Sequence, residues 1–401
     1  MSTLVPSFPS DTPLPHVDHT PLHVIQTHGT TPIKLSLVPD QRPLSSLAEL
    51  SEDEEIWRDR YSFLLSRGLQ LRVRYRPGWT PSWLGTNLDP ITCEDSIEKR
   101  IDDVLDAKRL EDGAIVCVKR IAPKNIQGLE MASVDEAKIG RYLSTEMMLR
   151  DPANHCVPIL DTFLDPVLPD VQYIVMPVLR SFDDPEFSFI GEVVEFVTQL
   201  LEGVSFMHEH LVAHGDLTAQ NIMMDGRPIL PHGWHFVQDS LAPNGVDSIT
   251  ALARIDHPVR YFIIDYDCSM QFRPGEVHLV EDFGGRDSDP PEFKLSRYDA
   301  FKVDVFTLGN VYDDLDFLKN QIDVMKTPDF RRRPTAQAAL HHWLKVKTKL
   351  NVSMARWRLR KRDESVGLRV VRDAVSVVQQ SLDNVTRILN PQVRVRTWSN
   401  P

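Results

Sequence analysis

The chain has 401 residues, enough for two or three domains or for one two-lobed domain with tails, and its 42% hydrophobic content allows a sizeable core. A formal net charge of −12 argues against a general nucleic-acid binder and against adhesion to anionic membranes. Four scattered cysteines (Cys93, Cys117, Cys156, Cys268) argue against a disulfide framework or a zinc site, no apolar run has the length of a membrane span, and Met1–Pro6 lacks the order of a signal peptide. The expectation is a soluble protein of a reducing interior, cytoplasmic or nuclear.

Residues 1–44 are rich in Pro, Ser, Thr and His and read as a disordered extension. Ser51 followed by Glu54 predicts a capped helix start, with Trp57, Tyr61, Leu64 and Leu65 at helical spacing and Gly68 at the stop. The alternation from Leu71 to Trp79 predicts a half-buried strand whose arginines form a solvated face, an anion-binding face being the lesser reading. Ala114 to Lys119 is a β run, Glu136 to Leu143 a helix with Ile139 and Leu143 on one face, and Val157–Leu160 and Tyr173–Met176 two further strands. Lys119 and Glu136, on a strand and then a helix, are spaced to pair across this region; two unconnected solvated charges are the equal alternative.

A helix is expected from about Ile190 to His210, with His208 a packed core residue rather than a base. The stretch between Asn221 and Asp265 is too long for a hairpin and reads as an inserted loop. His232 and His235 within it have no third ligand nearby for a metal. Another apolar helix is expected from Asp304, and Thr335 is the expected N-cap of a helix from Ala336 to Leu344. In the tail, heptad-like spacing over residues 367–390 predicts a helix that docks on the parent domain or joins a partner, including a second copy.

Two segments carry the chemistry: His214-Gly215-Asp216-Leu217-Thr218-Ala219-Gln220-Asn221, and Ile264-Asp265-Tyr266-Asp267 at the end of an apolar strand. An Asp, an amide five residues on and a second Asp beyond a strand suit phosphoryl transfer. One carboxylate orients a hydroxyl while the amide and the other carboxylate hold magnesium on the phosphates. An Asx-rich turn after a helix would give the same Asp-x4-Asn spacing.

In this order the segments resemble the protein kinase catalytic domain. Val116-Cys117-Val118-Lys119 resembles the strand-three lysine motif and Glu136 its helix partner. Residues 214–221 resemble the catalytic loop, and Asp265-Tyr266-Asp267 stands where the DFG motif does. Pro290-Pro291-Glu292 is similar to the end of the activation segment, Asp304 to the aspartate that braces the catalytic loop, and Arg333 to the arginine that pairs with Glu292. The Trp-rich stretch from Arg74 to Trp83, Gly233-Trp234-His235 and Tyr261-Phe262-Ile263-Ile264-Asp265 resemble the kinase-like family expanded in mushroom-forming fungi. The resemblance implies an α+β, two-lobed fold: a Trp-rich segment at 45–96, a small β-rich lobe at 97–180, a larger helical lobe at 181–345 and a helical tail at 346–401. It also implies ATP and Mg2+ as cofactors, with Lys119 on the α/β-phosphates, Glu136 fixing it, Asp216 the catalytic aspartate, and Asn221 and Asp265 the metal ligands. Met176 takes the gatekeeper position, and Pro177 and Leu179 the adenine hinge.

Four departures bear on activity. Gly113 is the only glycine between Arg100 and Lys119, so the phosphate-covering loop is degenerate; Gly215 replaces an arginine, Thr218 a lysine, and Asp267 the glycine of DFG. Three readings stay open: a protein kinase acting on Ser/Thr hydroxyls, which the five assembled groups favour; a pseudokinase that binds without turnover; and a small-molecule kinase of the aminoglycoside-phosphotransferase kind. The protein substrate is not specified by any of these residues.

Overall fold

The computed structural model describes residues 47–126, 129–131, 136–281, 284–350 and 352–359, so the expectations for residues 1–44 and for the 367–390 helix lie outside the described residues. The Ser51 hydroxyl accepts the Glu54 N–H and the Glu54 carboxylate accepts the Ser51 N–H at 3.0 Å, a reciprocal cap that starts helix α1 (Glu52–Ser66). Gly68 at φ +79° turns the chain out of it, a conformation that a Cβ would disfavour.

Five strands follow: β1 (Leu69–Leu71), β2 (Val104–Arg109), β3 (Ile115–Ile121), β4 (Asp161–Leu164) and β5 (Gln172–Pro177). They form one antiparallel sheet in the order β1-β2-β3-β5-β4. Alternation along β3 sends Val116 and Val118 to one face, where they join Trp57, Tyr61 and Leu64 of α1 in a single apolar cluster. Ile121, on the other face, packs with Ala137 of helix α2 (Glu136–Leu143). Lys119 shares the Ile121 side of β3, so strand period alone turns it toward α2.

Two expectations are corrected here. The Leu71–Trp79 strand stops at Leu71; a 3-10 turn at Val73–Tyr75 breaks the alternation and swings Arg74 inward, to 0% exposure. Its guanidinium donates to both Glu54 oxygens, at 2.7 and 3.0 Å, and stacks over Trp79. Arg72 is also enclosed, against Asp106 at 3.1 Å and Glu94 at 3.3 Å, so of the arginines expected on a solvated face Arg76 alone is exposed. The apolar run Val157–Leu160 is likewise not a strand. It is a connector whose Val157 and Leu160 N–H groups donate to Ile263 and Val175, and the strand begins at Asp161.

The second core surrounds helix α3 (Ile190–Glu209), buried over most of its circumference, as expected of a helix apolar on nearly every side. Helix α4 (Ala300–Val311) starts four residues before the expected Asp304, because Asp299 caps it by accepting the Phe301 N–H at 3.0 Å. Thr335 caps helix α5 (Ala336–Lys347), which runs three residues past the expected end and drives Trp343 into α3, where its indole N–H donates to Thr198 at 2.9 Å. Truncating a fully buried α3 residue such as Leu200 to Ala would cost ~2–5 kcal/mol.

Candidate active site

Two short ladders make the candidate site unavoidable. Val212–Ala213 pairs with Met270–Gln271, and Ile222–Met224 pairs with Tyr261–Ile263, both antiparallel. The loops between them, 214–221 and 264–269, are therefore held face to face, with the Ile264 N–H donating to Asn221 O at 3.0 Å. The long stretch expected as an inserted loop is an insertion at residues 225–260, and its ends do form a hairpin ladder.

Asp304, 1% exposed, fixes the first loop from beneath by accepting the backbone N–H groups of His214 (2.8 Å) and Gly215 (2.9 Å). It also pairs with the His208 ring at 2.9 Å, so His208 is a packed, bonded residue as expected. His214 Nδ1 accepts the Asp216 N–H, which leaves Nε2 to donate to Ile264 O at 3.0 Å and ties the two loops together. Asn221 Nδ2 donates to Asp216 Oδ2 at 2.9 Å, which aims its Oδ1 elsewhere. Asp265 sits at φ +68°, a left-handed conformation that aspartate tolerates better than most residues but that still stores strain, ~1–3 kcal/mol.

Lys119 bridges the sheet and this loop pair. Its Nζ lies 2.7 Å from Glu136 Oε1 and 2.7 Å from Asp265 Oδ1. Burial alone would lower the Lys119 pKa, but the Glu136 and Asp265 carboxylates outweigh it and hold the ammonium above the ordinary lysine value. Burial would likewise raise Asp265, and here Lys119, then Arg286, keep the carboxyl below its usual range. Both groups are charged at neutral pH.

Arg286, which belongs to none of the expected motifs, lies at the centre of these groups. Its guanidinium reaches Asp216 Oδ2 (3.2 Å), Asn221 Oδ1 (3.3 Å) and Asp265 Oδ2 (3.5 Å), and its backbone N–H donates to Asp216 Oδ1 at 2.7 Å. Asn221 and Asp265, the expected magnesium ligands, and Asp216, the expected catalytic aspartate, thus already converge on one cation. Their oxygens are hard donors of the kind magnesium takes, so the residue set fits that ion wherever Arg286 withdraws. Thr218 Oγ1 is shut off from solvent with no hydrogen-bond partner among the described residues.

Met176 pairs with Cys117 and Pro177, the end of β5, with Val116 of β3; Met176 and Leu179, the latter just beyond the strand, lie half-buried against the α3 core. Farther off, Glu292 and Arg333 form a bidentate pair at 0% side-chain exposure. His235 is not a metal ligand. It is 4% exposed, its Nδ1 accepts the Gln238 N–H, and its Nε2 faces Glu94 at 3.4 Å. Among the described residues no group of three or more His, Cys, Asp and Glu could hold a metal, and no helix is long and apolar enough to cross a membrane.

No family model matches the chain. Over 142 residues, 33% of its length, it is 27% identical to the serine/threonine-protein kinase bur1 of Neurospora crassa, and the match spans a quarter of that relative. The fold is mixed α and β, an antiparallel sheet with helices, compatible with a two-lobed kinase-like architecture. Distant and partial as it is, the match supports a kinase-like domain in this chain.

Proposed function

We propose that the chain is an ATP- and magnesium-dependent phosphotransferase of the protein kinase kind, acting on a Ser/Thr hydroxyl in an intracellular protein. The observation that carries the reading is Lys119, held at 2.7 Å between carboxylates from α2 and from the Asp265 loop while 20% of its side chain stays exposed. A purely structural lysine needs one partner; one strung between two elements at an opening is poised for an anion. Lys119 would take the α/β-phosphates with Glu136 fixing its direction, and Met176, Pro177 and Leu179 would border the adenine. Asp216 would orient the acceptor hydroxyl and hold its proton, and Asn221 Oδ1 and Asp265 would ligate magnesium. The metal, when bound, supplies charge neutralisation on the phosphates. The Glu292–Arg333 pair counts toward the protein kinase pattern and against a small-molecule kinase.

One observation favours a second reading, a pseudokinase that binds without turnover. Arg286 occupies the catalytic aspartate, and the β2–β3 turn offers one glycine, Gly113, beside an Arg109–Asp112 ion pair in place of a glycine-rich cover. Titration with an ATP analogue, with and without magnesium, beside an autophosphorylation assay separates the two. Magnesium-dependent binding with phosphate incorporation that Asp265→Asn abolishes supports the kinase; binding without incorporation supports the pseudokinase. No binding by either route sinks both.

A further inference from the structure

The segment Gly284–Asp287 is fitted to Asp216 with unusual closeness. A Cβ on Gly285 would stand 2.1 Å from Asp216 Oδ1, and one on Gly284 would stand 2.9 Å from the Phe293 ring, so neither position admits a side chain in this arrangement. The next residue donates its N–H to Asp216 Oδ1 and lays its guanidinium over Asp216, Asn221 and Asp265. The one after, Asp287, is pinned to α4 by Asn310 Nδ2 at 2.6 Å. Both oxygens of Asp216 therefore carry donors from within the chain, and both outward oxygens of the metal-binding pair face an internal cation.

Resting on the phosphotransferase reading above, we infer that Gly284-Gly285-Arg286 is a built-in plug: its backbone takes the acceptor's place on Asp216 and its guanidinium takes the divalent cation's. The plug is made to come out. The Arg286 side chain is 54% exposed, against 5% for Asp216, so water can accept the guanidinium as it leaves. A competing doubly charged ion on a nucleotide brings more positive charge to the same oxygens than one guanidinium does. The site then exists in two states, plugged and open, and magnesium nucleotide binds the open one. Its apparent affinity is reduced by the open fraction, on the order of tenfold or more if that fraction is about 10% or below.

Two variants release the plug in different ways. Gly285→Ala forces the backbone off Asp216 and keeps the arginine; Arg286→Ala keeps the backbone and removes the cation. The probes are magnesium with a non-hydrolysable ATP analogue, followed by titration, and hydrogen exchange at the Arg286 amide. We expect both variants to bind the magnesium–analogue complex about tenfold more tightly than the parent. Amide exchange should quicken in Gly285→Ala without ligand, and in the parent once the complex is added. Equal affinities in all three proteins, or an Arg286 amide whose exchange Gly285→Ala leaves unchanged, would overturn the plug while leaving the phosphotransferase reading standing. Quickened exchange with no analogue binding in any of the three would overturn that reading, and this role for the segment with it.

Discussion

Arg333 and Lys119 both lie among carboxylates, yet their surroundings are built on opposite plans. Arg333 and Glu292 are 0% exposed in their side chains, and the guanidinium is filled by Glu292, Lys302 O and Thr327 O. Arg74 and Glu54 follow nearly the same plan at 0% and 1%, with Glu98 a second, longer partner of Arg74 at 3.4 Å. Around Lys119, two cations (Lys119 and Arg286) face three carboxylates (Glu136, Asp265 and Asp216), and all but Glu136 and Asp216 keep a fifth or more of their side chains in water. A closed one-to-one pair fixes a fold because any change leaves a buried charge alone. An open, anion-rich cluster can exchange its cations for others, which is what a ligand site requires.

The comparison can be broken at either end, and the effects on stability should fall in order. Arg333→Ala strands the Glu292 carboxylate in the core and should lower unfolding free energy by ~3–5 kcal/mol in urea titration; a loss under about 1 kcal/mol would show that water reaches the pair and that it is not closed. Arg74→Met should cost ~3 kcal/mol by the same measurement, somewhat less because Ser51 and Tyr75 still bond Glu54.

Asp165 sharpens the contrast through pH. Burial works against its charge, but Arg60, two backbone N–H groups and Tyr173 hold its pKa down at about 2. A carboxyl lowered on folding adds stability above its unfolded value, ~4, and loses it as pH falls through the folded value. The stability gap between the parent and Asp165→Asn should therefore be widest near neutrality and close between about pH 4 and pH 2; a gap independent of pH would assign the difference to packing. The smallest stability effect belongs to Lys119→Met, ~1–2 kcal/mol, since Arg286 still faces Asp265 and the stranded Glu136 carboxyl, which burial already pushes up, takes up a proton. The same variant should lose phosphotransfer by about a hundredfold or more. Equal turnover would make Lys119 a surface charge and erase the distinction between the two plans.

What the sequence made legible was local. Ser51 and Glu54 announce α1, the period of two turns Lys119 toward α2, and Thr335 announces α5. What it concealed depended on distant partners. Leu71-Arg72-Val73-Arg74-Tyr75 alternates like a strand, and what draws Arg74 inside is distant: Glu54, twenty residues upstream and already engaged as a capping residue, with the carbonyls of Leu47, Glu49 and Asp95. Val157–Leu160 has strand composition, but its hydrogen bonds go to two different segments, so no ladder forms along it. Arg286 carried no signal beyond the two glycines before it, because Asn221 and Asp216, which it bonds, lie 65 and 70 residues earlier in the chain, and even Asp265 belongs to another loop. That Asp216, Asn221 and Asp265 would come together was expected from their motifs, whereas the cation already standing among them was not.

Glu54 does two jobs at once. One of its oxygens accepts the Ser51 N–H and the Arg74 Nη2, the other the Arg74 Nε and the Tyr75 hydroxyl. A single carboxyl group thus nucleates a helix and seats an arginine that arrives from beyond β1. The helix start gains its full electrostatic support only after the following turn has docked, and that turn finds its socket only once the helix has begun. Neither half is a stable stopping point, so this amino-terminal collar should assemble and melt as one cooperative step.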